Sequence, residues 1–181
     1  MTVRLGRPGD EVAIGEIAVA AWRWAYASIM DPEYLAGLEP EDRSRWWVDT
    51  LRSPPQRSAV LMFEVGDEVA GFAAVAPSDD ATLGEVCAIN VRPDDAGQGY
   101  GTALLAACEE QLRSFGFVDA ILWVLPENTR ARRFYESRGW WDEGMSRRSD
   151  VGGLELDQVR YRRTLSDDDD DVGRHRGSGA P

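Results

Sequence analysis

The residues with the clearest chemical consequence are three glycines at alternate positions, Gly97, Gly99 and Gly101, in the stretch INVRPDDAGQGYGTALL from Ile89 to Leu105. An apolar run ends at Pro93, and Thr102-Ala-Leu-Leu opens a helix. Glycines spaced in this way let the backbone turn tightly and let a ligand approach with no Cβ in the way. They fall where the first N–H groups of a helix lack internal partners and where its dipole favours an anion. The backbone of residues 97–102 is therefore a candidate pyrophosphate cradle. Acid–base chemistry is narrowed by what is missing. The chain has no Lys, and its one His is His175, near the end. No Schiff base and no His-dependent triad or His-ligated metal is expected in the folded part. Proton transfer falls to carboxylates, tyrosine, cysteine or water, and no metal is expected.

Two familiar phosphate loops do not fit. A Walker loop ends in Lys, which is absent. The dinucleotide fingerprint G-x-G-x-x-G, counted from Gly97, meets Thr102 at its third glycine. Asp119 imitates the ribose-binding acid of that fold, but it precedes the next apolar run, Ala120–Leu125, instead of ending it.

The elements that must position the loop are readable in order. Val3–Leu5 is a short strand. Asp10 is placed to cap a helix whose apolar spacing runs Ile14, Ile17, Ala18, Ala21, Ala25. Trp22 and Tyr26 share one face of it, with Trp24 opposite as core. Asp31-Pro32 and Pro40-Glu-Asp start two further helices. Ala59–Val65 and Val69–Val75 flank Gly66-Asp67 as a hairpin, and Leu83–Val91 leads into the glycine loop. A helix from Gly101 stops at Gly116, and Ala120–Leu125 is a buried strand. Asn128 caps a helix ending at Gly139, and Trp140–Arg148 with Leu154–Leu165 closes the chain as a hairpin. Strand and helix order predicts an α/β (α+β) mixed sheet with helices on its faces. Cys87 and Cys108 both read as reduced core thiols.

V-x-P, a polar spacer, then G-x-G-x-G before a small-residue helix resembles motif A of the GNAT superfamily of acetyl-CoA-dependent N-acetyltransferases. LWVLPENTRARRFYESRGW resembles its motif B: strand, Asn128, Ala131, Tyr135, then Gly139 and an aromatic. The likeness covers roughly residues 2–165. It implies a mixed, mostly antiparallel sheet of about seven strands with about four to five helices, and acetyl-CoA as co-substrate. It implies that Ile89, Asn90, Val91, Gly97, Gln98, Gly99, Tyr100, Gly101, Thr102 and Asn128 hold the cofactor, the strand N–H near Ile89–Val91 polarising the acyl carbonyl. It further implies Glu85 as general base and Tyr135 as the acid that protonates the leaving thiolate. On the residues alone, Glu85 is equally a solvated strand residue, Tyr135 a core aromatic with a polar tip and Asn128 a plain helix cap. Trp22 and Tyr26 are the acceptor-pocket candidates, although an aromatic stripe also serves as core. The family loop opens with Gln or Arg where this chain has Ala96. A non-catalytic acyl-CoA sensor therefore remains the alternative to an enzyme, with a nucleotide-binding regulator third.

Composition bounds the remainder. At 181 residues and 43% hydrophobic, the chain is one domain of ordinary size. We expect an N-acetyltransferase domain over residues 1–165 and an acidic disordered tail over 166–181, where five Asp stand in a row. The net charge of −12 argues against nucleic acid and is compatible with steering a cationic amine, with acids near Asp31–Glu33 meeting its ammonium. With no apolar leader or span, a cytoplasmic place and no membrane contact are expected. The acceptor is a small-molecule amine or a peptide N-terminus, and a homodimer is left open.

Overall fold

A computed structural model describes residues 1–165; the expected acidic tail, 166–181, lies outside the described residues. The elements run β1 (Thr2–Leu5), α1 (Glu11–Ala25), α2 (Pro32–Ala36), α3 (Pro40–Arg52), β2 (Ala59–Val65), β3 (Glu68–Pro77) and β4 (Gly84–Val91). They continue with α4 (Tyr100–Ser114), β5 (Asp119–Val124), α5 (Thr129–Glu136), β6 (Trp141–Asp150) and β7 (Glu155–Thr164). The seven strands form one sheet in the order β1-β2-β3-β4-β5-β7-β6. Every pairing is antiparallel except β4–β5.

Local signals explain most boundaries. The Asp31 carboxylate accepts from the N–H groups of Glu33 and Tyr34 at 2.8 and 3.1 Å, and Pro32 sits at the first helical position of α2. α4 ends in a Schellman motif: Gly116 at φ +83°, with the Phe117 N–H bonded to the Leu112 carbonyl and the Gly116 N–H to Arg113. Asp10 departs from expectation. Its carboxylate makes no cap bond to α1 and instead holds the Arg4 guanidinium at 2.7 and 2.9 Å and the Arg7 N–H at 2.8 Å. A charged guanidinium in reach outcompetes the helix amides, and the acid ties β1 to the start of α1. The same pairing, led by the hydrogen bond from Arg4, lowers the Asp10 pKa.

Two cores lie on opposite faces of the sheet. α4 and α5 bury Leu104, Leu105, Cys108 and Leu112 against Leu61, Ala73, Val86, Leu122 and Tyr161. On the other face, α1 and α3 bury Ile14, Ile17 and Leu51 against Val60, Met62 and Phe72. The first pair of long helices touches at Gly15, where an added Cβ would come within 2.3 Å of the Pro40 carbonyl oxygen and 2.2 Å of the Ser44 hydroxyl. Gly15→Ala gains about 1 kcal/mol of helix propensity, but overpacking against backbone costs about 1–3 kcal/mol. Urea unfolding should therefore show a less stable variant; a more stable one would mean that α1 and α3 do not meet this closely.

Candidate active site

The site begins where the sheet fails to continue. β4 and β5 are neighbours, yet only Gly84↔Ala120 and Glu85↔Ile121 are in register. On its other edge β4 bulges: its pairing with β3 passes from Val75↔Val86 to Ala74↔Ala88 and leaves Cys87 unmatched. A bulge bends and twists its strand, and past it β4 and β5 part. A cleft of about 480 Å³ opens between Ile89, Asn90 and Val91 on one side and Trp123, Val124 and Leu125 on the other. The edge of β4 facing β5 has no strand partner there, so its backbone groups point into the cleft.

At one end the glycine loop closes the cleft. Gly97 and Gly99 stand at φ +86° and +89°, the left-handed region that other residues rarely adopt. Both line the cleft with Ala96, Gly101 and Thr102. The Tyr100 ring is committed to the core, stacked on Phe63 at 4.5 Å. Gln98 does not line the cleft; its N–H bonds to the Asp95 carbonyl. Arg138, unremarked in the sequence, donates to the Thr102 hydroxyl, lies 4.0 Å over the Phe134 ring and lines the cleft. A guanidinium thus stands at the first turn of α4, close to the loop that lacks a polar side chain at Ala96.

Towards the other end lie Tyr135, Tyr26 and Asn128. Burial, reinforced by Tyr26 and Cys108, pushes the Tyr135 pKa up, so the phenol keeps its proton through neutral pH. Asn128 caps α5, accepting from the Ala131 N–H at 3.1 Å, and its side chain also lies against the Tyr26 hydroxyl. Capping and cleft lining coincide in this one residue. Trp22 meets Tyr26 edge-on at 5.3 Å, and both line the cleft. Trp24 is not core: it is 45% exposed, lines the cleft and carries the Arg130 guanidinium 3.7 Å over its ring. The last turn of α1 overhangs the cleft, where Trp24 meets Arg130 of α5.

The tip between β6 and β7 completes this wall. Val151 lines the cleft, the Tyr34 hydroxyl donates to the Gly152 carbonyl, and Arg43 is held between the rings of Trp22 and Trp46 at 4.6 and 4.5 Å. Charge is distributed differently from expectation. Asp31 is turned into its own helix, and among the described residues lining the cleft the one carboxylate is Asp95, against Arg130 and Arg138. Glu85 does not line the cleft; it is half-buried at the last β4–β5 pair. Burial raises its pKa, with nearby Arg147 opposing, which moves a carboxylate towards a useful base. Trp123 and Gln158 were legible only by alternation: Leu122 and Val124 enter the core under α4, so Trp123 faces the other side.

Parted parallel strands above a glycine-turned helix start mark a class of α/β acyltransferases. Residues 12–140 match the Acetyltransferase (GNAT) family, and the chain belongs to it and is an acyltransferase. Over 134 residues it is 31% identical to the uncharacterized N-acetyltransferase YuaI of Bacillus subtilis, covering 71% of this chain and 73% of that protein. It is also 31% identical over 141 residues to a mycothiol acetyltransferase of Streptomyces bingchenggensis, covering 77% of this chain but 42% of that longer protein. The fold is shared with the PaiA N-acetyltransferase of Thermoplasma acidophilum in complex with coenzyme A, at a TM-score of 0.74 and 19% identity over 90% of this chain and 98% of that one. It is shared as well with yncA of Salmonella typhimurium, solved with its cofactor acetyl-CoA, at a TM-score of 0.69 and 22% identity over 100% of this chain and 97% of that one.

Cys87 corrects a second expectation. Only Cys108 is a core thiol; Cys87 touches solvent at the bulge and lines the cleft. The surrounding walls still desolvate it, and burial pushes its thiol up to about 12. At pH 8 it should then react with a disulfide reagent at least about a hundredfold more slowly than an unburied cysteine, because the thiolate is the nucleophile. Labelling at the rate of a free thiol would show that the groove is open at the bulge.

Proposed function

We propose that this chain transfers an acetyl group from acetyl-CoA to a primary amine of a small molecule or peptide, directly, in a ternary complex. The observation that carries the reading is the cleft between β4 and β5, with a glycine-turned helix start at one end and a protonated tyrosine at the other. The donor fits this frame. Unpaired N–H groups of the first turn of α4, helped by Arg138, suit the diphosphate. The free edge of β4 at Ile89–Val91 and the Asn128 amide suit the pantetheine arm, and an N–H of that edge polarises the thioester carbonyl.

The amine nitrogen attacks the carbonyl carbon, the carbon–sulfur bond breaks, and the thiolate takes the proton of the Tyr135 hydroxyl. Tyr135 is then reprotonated from solvent. Glu85 removes the amine proton through water, since it stands beside the cleft and not in it. We assign catalysis to residues 1–165, in the cytoplasm, with 166–181 as an acidic appendage.

Acetyl-CoA in hundredfold excess over its dissociation constant should stabilise the protein by about 2.7 kcal/mol through mass action. Gly99→Val should abolish that gain, because φ +89° is closed to a β-branched residue and the loop must rearrange. Thermal melting with millimolar acetyl-CoA tests this; normal binding by the variant would make the loop merely structural.

Turnover is read as free thiol released with a panel of amines. Tyr135→Phe keeps the ring and its packing, so acetyl-CoA binding should persist while kcat falls by about 10²–10⁴-fold. With Glu85 in place, activity rises as its carboxylate ionises above its raised pKa. In Glu85→Gln the rise should move upward, to the pKa of the acceptor amine itself. Wild-type kcat in both variants at every pH would remove both residues from the proton path.

A further inference from the structure

Trp123 and Gln158 line the half of the cleft away from the glycine loop, and behind them, outside the lining itself, stands the Arg147 guanidinium. Trp123 turns its ring to this side, and two guanidinium groups lie over it, Arg147 at 4.1 Å and Arg160 at 5.7 Å. They differ in one respect. Arg160 is neutralised by Glu143 at 2.6 Å, whereas Arg147 has no carboxylate within 4 Å among the described residues. Arg147 spends its Nε–H on the Oε1 of Gln158 at 2.9 Å, and the Ser149 hydroxyl donates to the same oxygen at 2.8 Å. A guanidinium only donates, so these two bonds fix which end of the Gln158 amide is oxygen. The Nε2 end is left as a donor with no acceptor among the described residues, on a residue that lines the cleft. An amide N–H open to the cleft, beside a guanidinium braced on a tryptophan with no carboxylate in contact, offers one anion a donor of each kind. Glu85 lies close enough across the parted strands for its charge to be felt by Arg147.

We infer that the acceptor is an amine that carries a carboxylate in the same small molecule, an amino acid, and that Arg147 and the Gln158 amide receive this carboxylate while the amine is presented to Glu85. The inference rests on the transfer reading above and names the acceptor class for it. It adds a carboxylate to the amine with which the net charge is compatible. Ammonium and carboxylate ends are recognised by opposite sides of the parted strands, which orients the amine towards the donor.

The test has two arms, both on the full chain. In the first, melting of the CoA-loaded protein is followed with the common L-amino acids, their carboxamides and the corresponding decarboxylated amines. Amino acids should stabilise, and their matched carboxamides and amines should not. In the second, thiol release gives KM, which should be about ten- to hundredfold lower for the amino acid than for its carboxamide. Arg147→Gln should erase that difference with little change in kcat, and Arg147→Lys should restore part of it, since charge remains and the planar fork is lost. Arg148→Gln, at an exposed neighbour paired with Asp157, should change nothing. Equal response to acids and carboxamides, no response to either, or an Arg147→Gln variant that weakens both alike would overturn the inference. Amino-acid binding that survives while no amine releases thiol would overturn the transfer reading and leave the carboxylate receptor standing.

Discussion

Everything about the site depends on a sheet that stops pairing in its middle. Two parallel strands with helices packed on both faces would ordinarily run on together, because each buried N–H and C=O left without a partner costs about 1–3 kcal/mol. Here β4 and β5 hold together for two residue pairs and then separate around the Cys87 bulge. The edge left without a strand partner is open to a ligand whose own amides can take a strand's place. The neighbouring elements make the separation stable. β3 stays paired with β4 as far as Val91, and β7 with β5 as far as Val124, so each lip of the cleft is anchored from behind.

Charge is organised locally, against the balance of the whole. All twenty basic residues are arginines in a chain of net charge −12. Among the described residues, several arginines away from the cleft are spent on ion pairs that tie strands and helices together, as in Arg4–Asp10 and Arg162–Asp119. Around the cleft they lie instead on aromatic faces, Arg130 on Trp24, Arg138 on Phe134 and Arg147 on Trp123. Stacking holds a guanidinium in place without neutralising it. Net charge therefore describes the solvated surface and says nothing of the potential at the reacting atoms.

How far the chain could be read in advance follows the same division between local and long-range causes. Glycines at helix ends, the Gly66-Asp67 turn and the Pro-initiated helices announce themselves, because backbone conformation near them is decided by neighbours in sequence. The seven strands and the glycine loop came from such signals, and the family likeness rested on them. Features decided by distant partners were not visible. Asp10 leaves its helix for Arg4, and Trp24 leaves the core for Arg130. Cys87 leaves the core for an exposed place at the bulge, which has no sequence mark when no glycine makes it. Glu85 and Gln98 lie outside the cleft lining, where the motif spacing had put them in the site. Arg147 and Gln158 face each other across a hairpin whose register depends on a further irregularity between Asp142 and Ser146.

The tie between Tyr34 and Gly152 spans 118 residues of chain. Together with Arg43, clasped between Trp22 and Trp46, it sets the far wall of the cleft by joining the second helix to the last hairpin. Contacts so far apart in sequence form late, since the entropy of closing the intervening loop must be met first. The glycine loop and α4 precede the β6–β7 tip in the chain, and their local structure does not depend on it. The glycine-loop end of the cleft is thus turned by near neighbours in sequence, whereas its far wall waits on a contact that reaches across most of the described chain.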